Sequence, residues 1–173
     1  MKYFVPDIYQ KSVFAINYNK LWKSGIKCLI FDLDNTLASI KEDLPNKKVK
    51  ELFVELNEIG FKIIIMSNSG KERVEPFKDH LNVDAACKSF KPLKNKYRKI
   101  LKTYGLKDIE IAAVGDQLLT DIFGANRMGF TSILVNPLSE EDFKATRINR
   151  IIEKKLYRMF AKKGIFEIGK YHD

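Results

Sequence analysis

The chain has 173 residues, 45% hydrophobic and 31% charged, a balance that predicts a folded soluble protein and excludes an intrinsically disordered one. Its longest purely apolar runs, such as Ile63–Met66, are far shorter than the roughly 20 residues that cross a bilayer, and Met1–Gln10 lacks the apolar core of a signal peptide. The net charge of +9 is concentrated at the ends, with 5 basic and 1 acidic residue in positions 1–29 and 9 basic and 3 acidic in 144–173. A second basic run, Lys88 to Lys107 with no acid between them, falls mid-chain. Such patches attract polyanions: nucleic acid, acidic lipid or phosphorylated ligands. The two cysteines, Cys28 and Cys87, lie at no metal-ligand spacing and are expected to be reduced thiols. The expectation is a cytoplasmic protein, one domain over residues 1–173, with basic N-terminal and C-terminal helical extensions.

From Lys27 the chain alternates between short β-rich apolar runs and helix-like segments. The first run, Lys27–Phe31, is followed by an amphipathic helix that starts after Asn46 as N-cap, sets Val49, Leu52, Phe53, Leu56 and Ile59 on one face, and ends at Gly60. Then come a strand at Phe61–Met66, a helix at Lys71–Leu81, a weak strand at Val83–Ala86, and a helix at Leu93–Tyr104. A strand at Glu110–Val114, a helix at Thr120–Met128 closed by Gly129, and a strand at Thr131–Val135 complete the series. Nearly all-apolar strands separated by helices predict an α/β, Rossmann-like three-layer fold with a mostly parallel five-stranded sheet. The last predicted element is a basic amphipathic helix from Arg147 to Lys163. Apolar Ile148, Ile151, Ile152, Leu156, Met159 and Phe160 recur in it between seven lysines and arginines. A helix of this kind can lie on anionic lipid, bind RNA, or pack its apolar face on the domain.

In a sheet of this type ligands bind beyond the carboxyl ends of the strands, and the polar residues fall there. Asp32-Leu33-Asp34-Asn35-Thr36 follows the first run, Ser67-Asn68-Ser69-Gly70 the second, Lys88 to Lys94 the third, and Gly115-Asp116 through Asp121 the fourth. Asp32 and Asp34, two apart on an extended segment, leave it on the same side. Joined by Asp116 and Asp121, they would repel one another strongly unless a cation sat among them, and hard oxygen donors favour magnesium. The bland reading, in which each aspartate is a separate turn or capping residue, explains any one of them but not the set. His80 and His172, the only histidines, are expected at the surface.

Taken together, Asp32-Leu33-Asp34-Asn35-Thr36, Ser67-Asn68, Lys91-Pro92 and Gly115-Asp116 to Asp121 resemble, in order, the four signatures of the haloacid dehalogenase superfamily of phosphotransferases. The resemblance implies Asp32 as covalent nucleophile and Asp34 as general acid and base. It implies Thr36, Ser67, Asn68 and Lys91 around the substrate phosphate, with Lys88 and Lys94 as rivals for the lysine. Mg2+ would be held by Asp32, Asp116 and the backbone carbonyl of Asp34, with Asp121 as a water-mediated ligand. The short intervals between signatures leave no room for a cap domain, and a capless site suits the head group of a large substrate.

Both ends of the chain extend the likeness. Phe4-Val5-Pro6-Asp7 and Gly25-Ile26-Lys27 at the start, with Thr146-Arg147-Ile148-Asn149-Arg150 and Glu153 in the tail, resemble the bacterial YqeG family of capless phosphatases. That family is similar to the mitochondrial phosphatidylglycerophosphate phosphatase, and the likeness implies an anionic phospholipid substrate with peripheral contact at the inner face of the membrane. The alternatives are a nucleic-acid or protein phosphatase, or a basic RNA- or ribosome-associated interaction protein.

Overall fold

The computed structural model describes residues 2–141 and 143–173, with the backbone alone for Lys144, Ala145 and Arg147. Its centre is a sheet of β1 (Ile8–Gln10), β2 (Cys28–Phe31), β3 (Lys62–Met66), β4 (Asp84–Ala86), β5 (Ile111–Gly115) and β6 (Thr131–Val135). The strands are ordered β1-β6-β5-β2-β3-β4, and every neighbouring pair is parallel. The expected five strands are therefore six. The extra one, Ile8-Tyr9-Gln10, pairs with β6 at the sheet edge and is held by Asp7, whose carboxylate accepts from the Ser132 amide at 2.8 Å. A three-residue edge strand with one buried side chain leaves no period-two signal, so its segment reads as part of a helical extension. The helical part is short: α1 (Tyr18–Lys23).

Alternation along the strands sends successive side chains into two layers. Leu29, Phe31, Ile63, Ile65 and Val114 pack against α1, α2 (Lys47–Ile59) and α3 (Lys71–Leu81). Cys28, Ile30, Ile64, Met66 and Ala113 pack against α4 (Lys94–Tyr104) and α5 (Phe123–Met128) on the other face. Helix α2 shows how directly the local sequence dictates an element. The Asn46 side chain accepts from the Val49 amide at 3.1 Å, the Val49–Leu52–Phe53–Leu56 stripe is buried, and Gly60 closes the helix at φ 110, a left-handed conformation that glycine adopts without strain.

The segment expected as one helix from Thr120 is instead a π-helical turn at Leu118–Ile122 that runs into α5. Helix α6 (Lys144–Lys162) covers the β1–β6 side, with Phe160 packed among Tyr9, Leu134 and Phe166. Its apolar residues do not form one face. Leu156, Met159 and Phe160 pack on the domain, whereas Ile148, Ile151 and Ile152 are 65%, 60% and 44% exposed. Among the described residues no helix is long and apolar enough to cross a membrane, and no segment forms a separate cap.

The two thiols occupy different environments. Cys28 is fully enclosed in the sheet, where burial pushes its pKa up to about 12, while Cys87 is partly exposed beyond β4. An aryl disulfide reagent at pH 8 is expected to titrate Cys87 alone in the native protein and both thiols after denaturation, because the thiolate is the nucleophile; two fast-reacting native thiols would contradict this packing.

Candidate active site

The polar rim predicted at the strand ends is a pocket of about 250 Å³. Asp32, Asp34, Ser67, Asn68, Ser69 and Lys91 form one wall; Gln117 and Thr120 from the π-helical turn, with Phe143, Thr146 and Asn149 from the start of α6, form the other. Asp32 continues β2 by donating its amide to the Val114 carbonyl at 2.9 Å, which carries its carboxylate to the sheet's edge beside the end of β5. The loop beyond it turns through Asn35 at φ 64. Asn35 is buried and tied to the segment after β6, since its side-chain amide donates to the Glu141 carbonyl at 2.7 Å and its side-chain carbonyl accepts from Ser139 at 2.9 Å.

Three carboxylates converge at Asp32. Asp32, Asp116 and Asp121 are 7%, 1% and 4% exposed, and each offers an oxygen within 4.8 Å of the others. Gly115 permits the approach, because a Cβ there would lie 2.2 Å from the Asp121 carboxyl carbon. Lys91 is also buried, and its ammonium donates to Asp32 Oδ1 at 2.5 Å and to Asp121 Oδ1 at 2.6 Å. Burial disfavours the charged lysine, yet the Asp121 and Asp32 carboxylates outweigh it and hold the pKa above that of an ordinary lysine. Lys88 is exposed and Lys94 opens α4, so Lys91 is the lysine of this run that reaches the carboxylates. Asn68 sets its position: the Asn68 side chain accepts from the Lys91 amide at 2.7 Å and donates to the Lys91 carbonyl at 3.3 Å. Thr36 lies between two of the acids, its hydroxyl 3.4 Å from Asp32 Oδ2 and 3.2 Å from Asp116 Oδ1.

Asp34 stands apart from this cluster. Its carboxylate accepts from Arg73 Nε at 2.8 Å, from Ser69 at 2.7 Å and from Ser67 at 3.4 Å. The Arg73 guanidinium also donates to the carbonyls of Ser39 and Glu42, so it locks the Asp34 carboxylate to the following loop. Of the residues singled out in the sequence, Asp32, Asp34, Ser67, Asn68 and Lys91 line the pocket, while Thr36, Asp116 and Asp121 are buried and gather at Asp32 without lining it.

Four contributors escaped the sequence reading. Ser69 and Arg73 gave no signal beyond their nearness to Ser67. Arg150 and Glu153 were noticed as tail residues without a role, yet Arg150 donates to the Asp116 carboxylate and to its carbonyl at 3.1 Å, while Glu153 accepts from the Leu119 amide at 2.9 Å. A signal existed: Glu153 is the sole acid between Lys144 and Lys163, and it falls on the arc shared by Leu156 and Phe160.

The electrostatics favour a bound cation. Lys91 and Arg150 supply two positive charges against the four buried carboxylates of Asp32, Asp116, Asp121 and Glu153. Burial pushes the pKa of Asp116 up to about 6 and of Glu153 up to about 7, and raises that of Asp32 well above the carboxylate range, with the neighbouring acids adding to the rise at each. An all-oxygen donor set of this kind fits a hard divalent metal ion.

The family model described as mitochondrial PGP phosphatase matches residues 1–138. A Bacillus subtilis (strain 168) protein named "Probable phosphatase YqeG" is 37% identical over 165 residues, 94% of this chain and 95% of that one. "Phosphatidylglycerophosphate phosphatase 1, chloroplastic/mitochondrial" of Arabidopsis thaliana is 25% identical over 183 residues, 95% of this chain but 50% of that protein's length. Among solved structures, D,D-heptose 1,7-bisphosphate phosphatase from B. bronchiseptica, complexed with magnesium and phosphate, shares the fold with a TM-score of 0.52 at 16% identity, over 75% of this chain and 99% of that one. With the aspartates, the lysine and the parallel sheet already in place, these matches show the family: the chain is a phosphatase of the mitochondrial PGP phosphatase family.

Proposed function

We propose that residues 1–173 act as one domain that hydrolyses the terminal phosphate of phosphatidylglycerophosphate, giving phosphatidylglycerol and inorganic phosphate through an aspartyl-phosphate on Asp32. The observation that carries the proposal is the Asp32 carboxylate, facing the pocket and paired with buried Lys91 at 2.5 Å. One Asp32 oxygen attacks phosphorus as the bond from phosphorus to the leaving alkoxide breaks, and Asp34 gives that alkoxide its proton. A water molecule then attacks the phosphorus of the aspartyl-phosphate, returns a proton to Asp34, and releases phosphate and free Asp32. Arg73 and Ser69 hold the Asp34 carboxylate at the pocket wall for both transfers. Lys91, Ser67 and Asn68 offer donors to the phosphoryl oxygens, and Thr36 orders the two carboxylates beneath them.

Magnesium is the cation this reading assigns to the carboxylate cluster, held by the Asp32 and Asp116 carboxylates and the Asp34 backbone carbonyl, with Asp121 direct or through water. When bound it would stabilise negative charge on the phosphoryl group. The lipid substrate rests on the family and on the name of the plant relative. A physical feature supports it: α6 lines the pocket with Thr146 and Asn149 while its opposite side presents Ile148, Ile151 and Ile152 beside exposed Lys155, Arg158 and Lys162. An anionic bilayer suits such a surface, each nearby basic residue contributing about 1 kcal/mol. In this reading the protein sits peripherally on the inner face of the membrane. Arg150, counted in the sequence among the charges of this helix, is excluded from that surface by its place at Asp116.

A phosphate-release panel with magnesium tests the substrate. Phosphatidylglycerophosphate in mixed vesicles should be turned over faster than nucleotide ends, phosphopeptides or small phosphate esters, and a marked preference for any of these would displace the lipid reading. Asp32→Asn should lower turnover at least about 1,000-fold while the melting temperature holds or rises, since the nucleophile is lost and carboxylate repulsion relieved; near wild-type turnover would rule out covalent catalysis. Activity should vanish in excess EDTA and return with Mg2+, and Asp116→Ala should require far more Mg2+ or fail altogether. For the surface, replacing Lys155, Arg158 and Lys162 together by glutamate should weaken sedimentation with anionic vesicles and leave hydrolysis of a soluble ester near normal, whereas unchanged vesicle binding would remove α6 from the docking surface.

A further inference from the structure

Helix α6 lies outside the four strand-end signatures, yet its Arg150 reaches Asp116 and its Glu153 reaches the turn that carries Asp121. Arg150 grips Asp116 at two points: Nη2 donates to the carboxylate oxygen Oδ2, and Nη1 to the main-chain carbonyl at 3.1 Å. The other carboxylate oxygen, Oδ1, is the one on the Asp32 side, where it shares the Thr36 hydroxyl with Asp32. Glu153, 1% exposed, holds the guanidinium through Oε2 at 3.2 Å and the Leu119 amide through Oε1 at 2.9 Å. Leu119 belongs to the π-helical turn that carries Asp121. The pair thus fastens α6 to the Asp116 carboxylate and to the turn that carries Asp121.

An exposed pair at this i,i+3 spacing contributes only a few tenths of a kcal/mol to a helix, and burying a carboxylate is costly unless its partners are in place. Helix stability therefore does not account for Glu153 in this position. Nor does net charge, because the pair sums to zero, although locally the Arg150 guanidinium favours the ionised Asp116 carboxylate against its burial. What the pair does supply is geometry: a planar guanidinium can meet a carbonyl and a carboxylate together, which a lysine ammonium on a flexible stem does not reproduce.

We infer that Arg150 and Glu153 are positioning residues that fix the Asp116 carboxylate and the Asp121 turn for divalent-cation binding, so that the C-terminal helix completes the metal site. This rests on the reading of Asp116 as a ligand, and the test separates the two. Full-length protein is titrated with Mn2+ alone, without substrate, by calorimetry and by electron paramagnetic resonance of the free ion, alongside thermal melts. The double variant Arg150→Gln with Glu153→Gln, which keeps the net charge, should bind Mn2+ at least about 10-fold more weakly, the usual cost of removing a residue that orients a ligand. Arg150→Lys should show a similar loss, and it carries the test if the double variant does not fold. Wild-type affinity in the folded double variant would make the pair merely structural and overturn the inference. Recovery in Arg150→Lys would reduce it to charge, and tighter binding in Arg150→Gln would make Arg150 a competitor of the metal; either result overturns it. Failure of the wild-type protein to bind Mn2+ would remove this inference together with the role assigned to Asp116.

Discussion

The structure depends on the contact between Lys91 and the carboxylates of Asp32 and Asp121. All three groups are buried, and a charge taken out of water without a partner costs several kcal/mol. The ammonium thus tethers strand ends from different parts of the sheet: Asp32 after β2, Asp121 on the turn after β5, and Lys91 itself beyond the edge strand β4. Asn68, after β3, fixes the lysine's backbone through its side-chain amide. Removing the ammonium would leave the carboxylates buried and unbalanced, which ties the chemistry of the site to the stability of the fold.

The sheet supplies this geometry because its strands are parallel and their order reverses about β2. Chain order runs from β2 to β3 and β4 on one side, then returns to β5 and β6 on the other. Asp32 consequently has Ser67 on one neighbouring strand end and Asp116 on the other, and the site opens at the switch point where open parallel sheets bind ligands. Between signatures the chain holds short loops and the covering helices, so access to the pocket is shaped by α6 in place of an inserted cap.

Much of this was legible in the sequence, for identifiable reasons. Doubly buried strands such as Ile63–Met66 are continuous apolar runs, α2 carries both its cap and its stop signal, and the aspartates fall where strands end. What escaped was nonlocal or too short to have a period. The strand at Ile8–Gln10 shows only in its pairing with β6. The π-helical turn breaks an expected helix to bring Asp121 and the Gln117 amide together at 3.1 Å. The split of the α6 isoleucines from Leu156 and Phe160, and the reach of Arg150 to Asp116, follow from how that helix docks, which composition and spacing do not encode.

The central claim is that Asp32 is phosphorylated during turnover, and trapping that species tests it most directly. Wild-type protein turning over substrate in magnesium would be quenched in acid, digested, and its peptides analysed by mass spectrometry. The account predicts phosphate on the peptide containing Asp32, localised to that residue and absent from the Asp32→Asn variant. Phosphate on a different side chain, or continued turnover with an unmodified Asp32 when release of phosphate from the enzyme is rate-limiting, would contradict it.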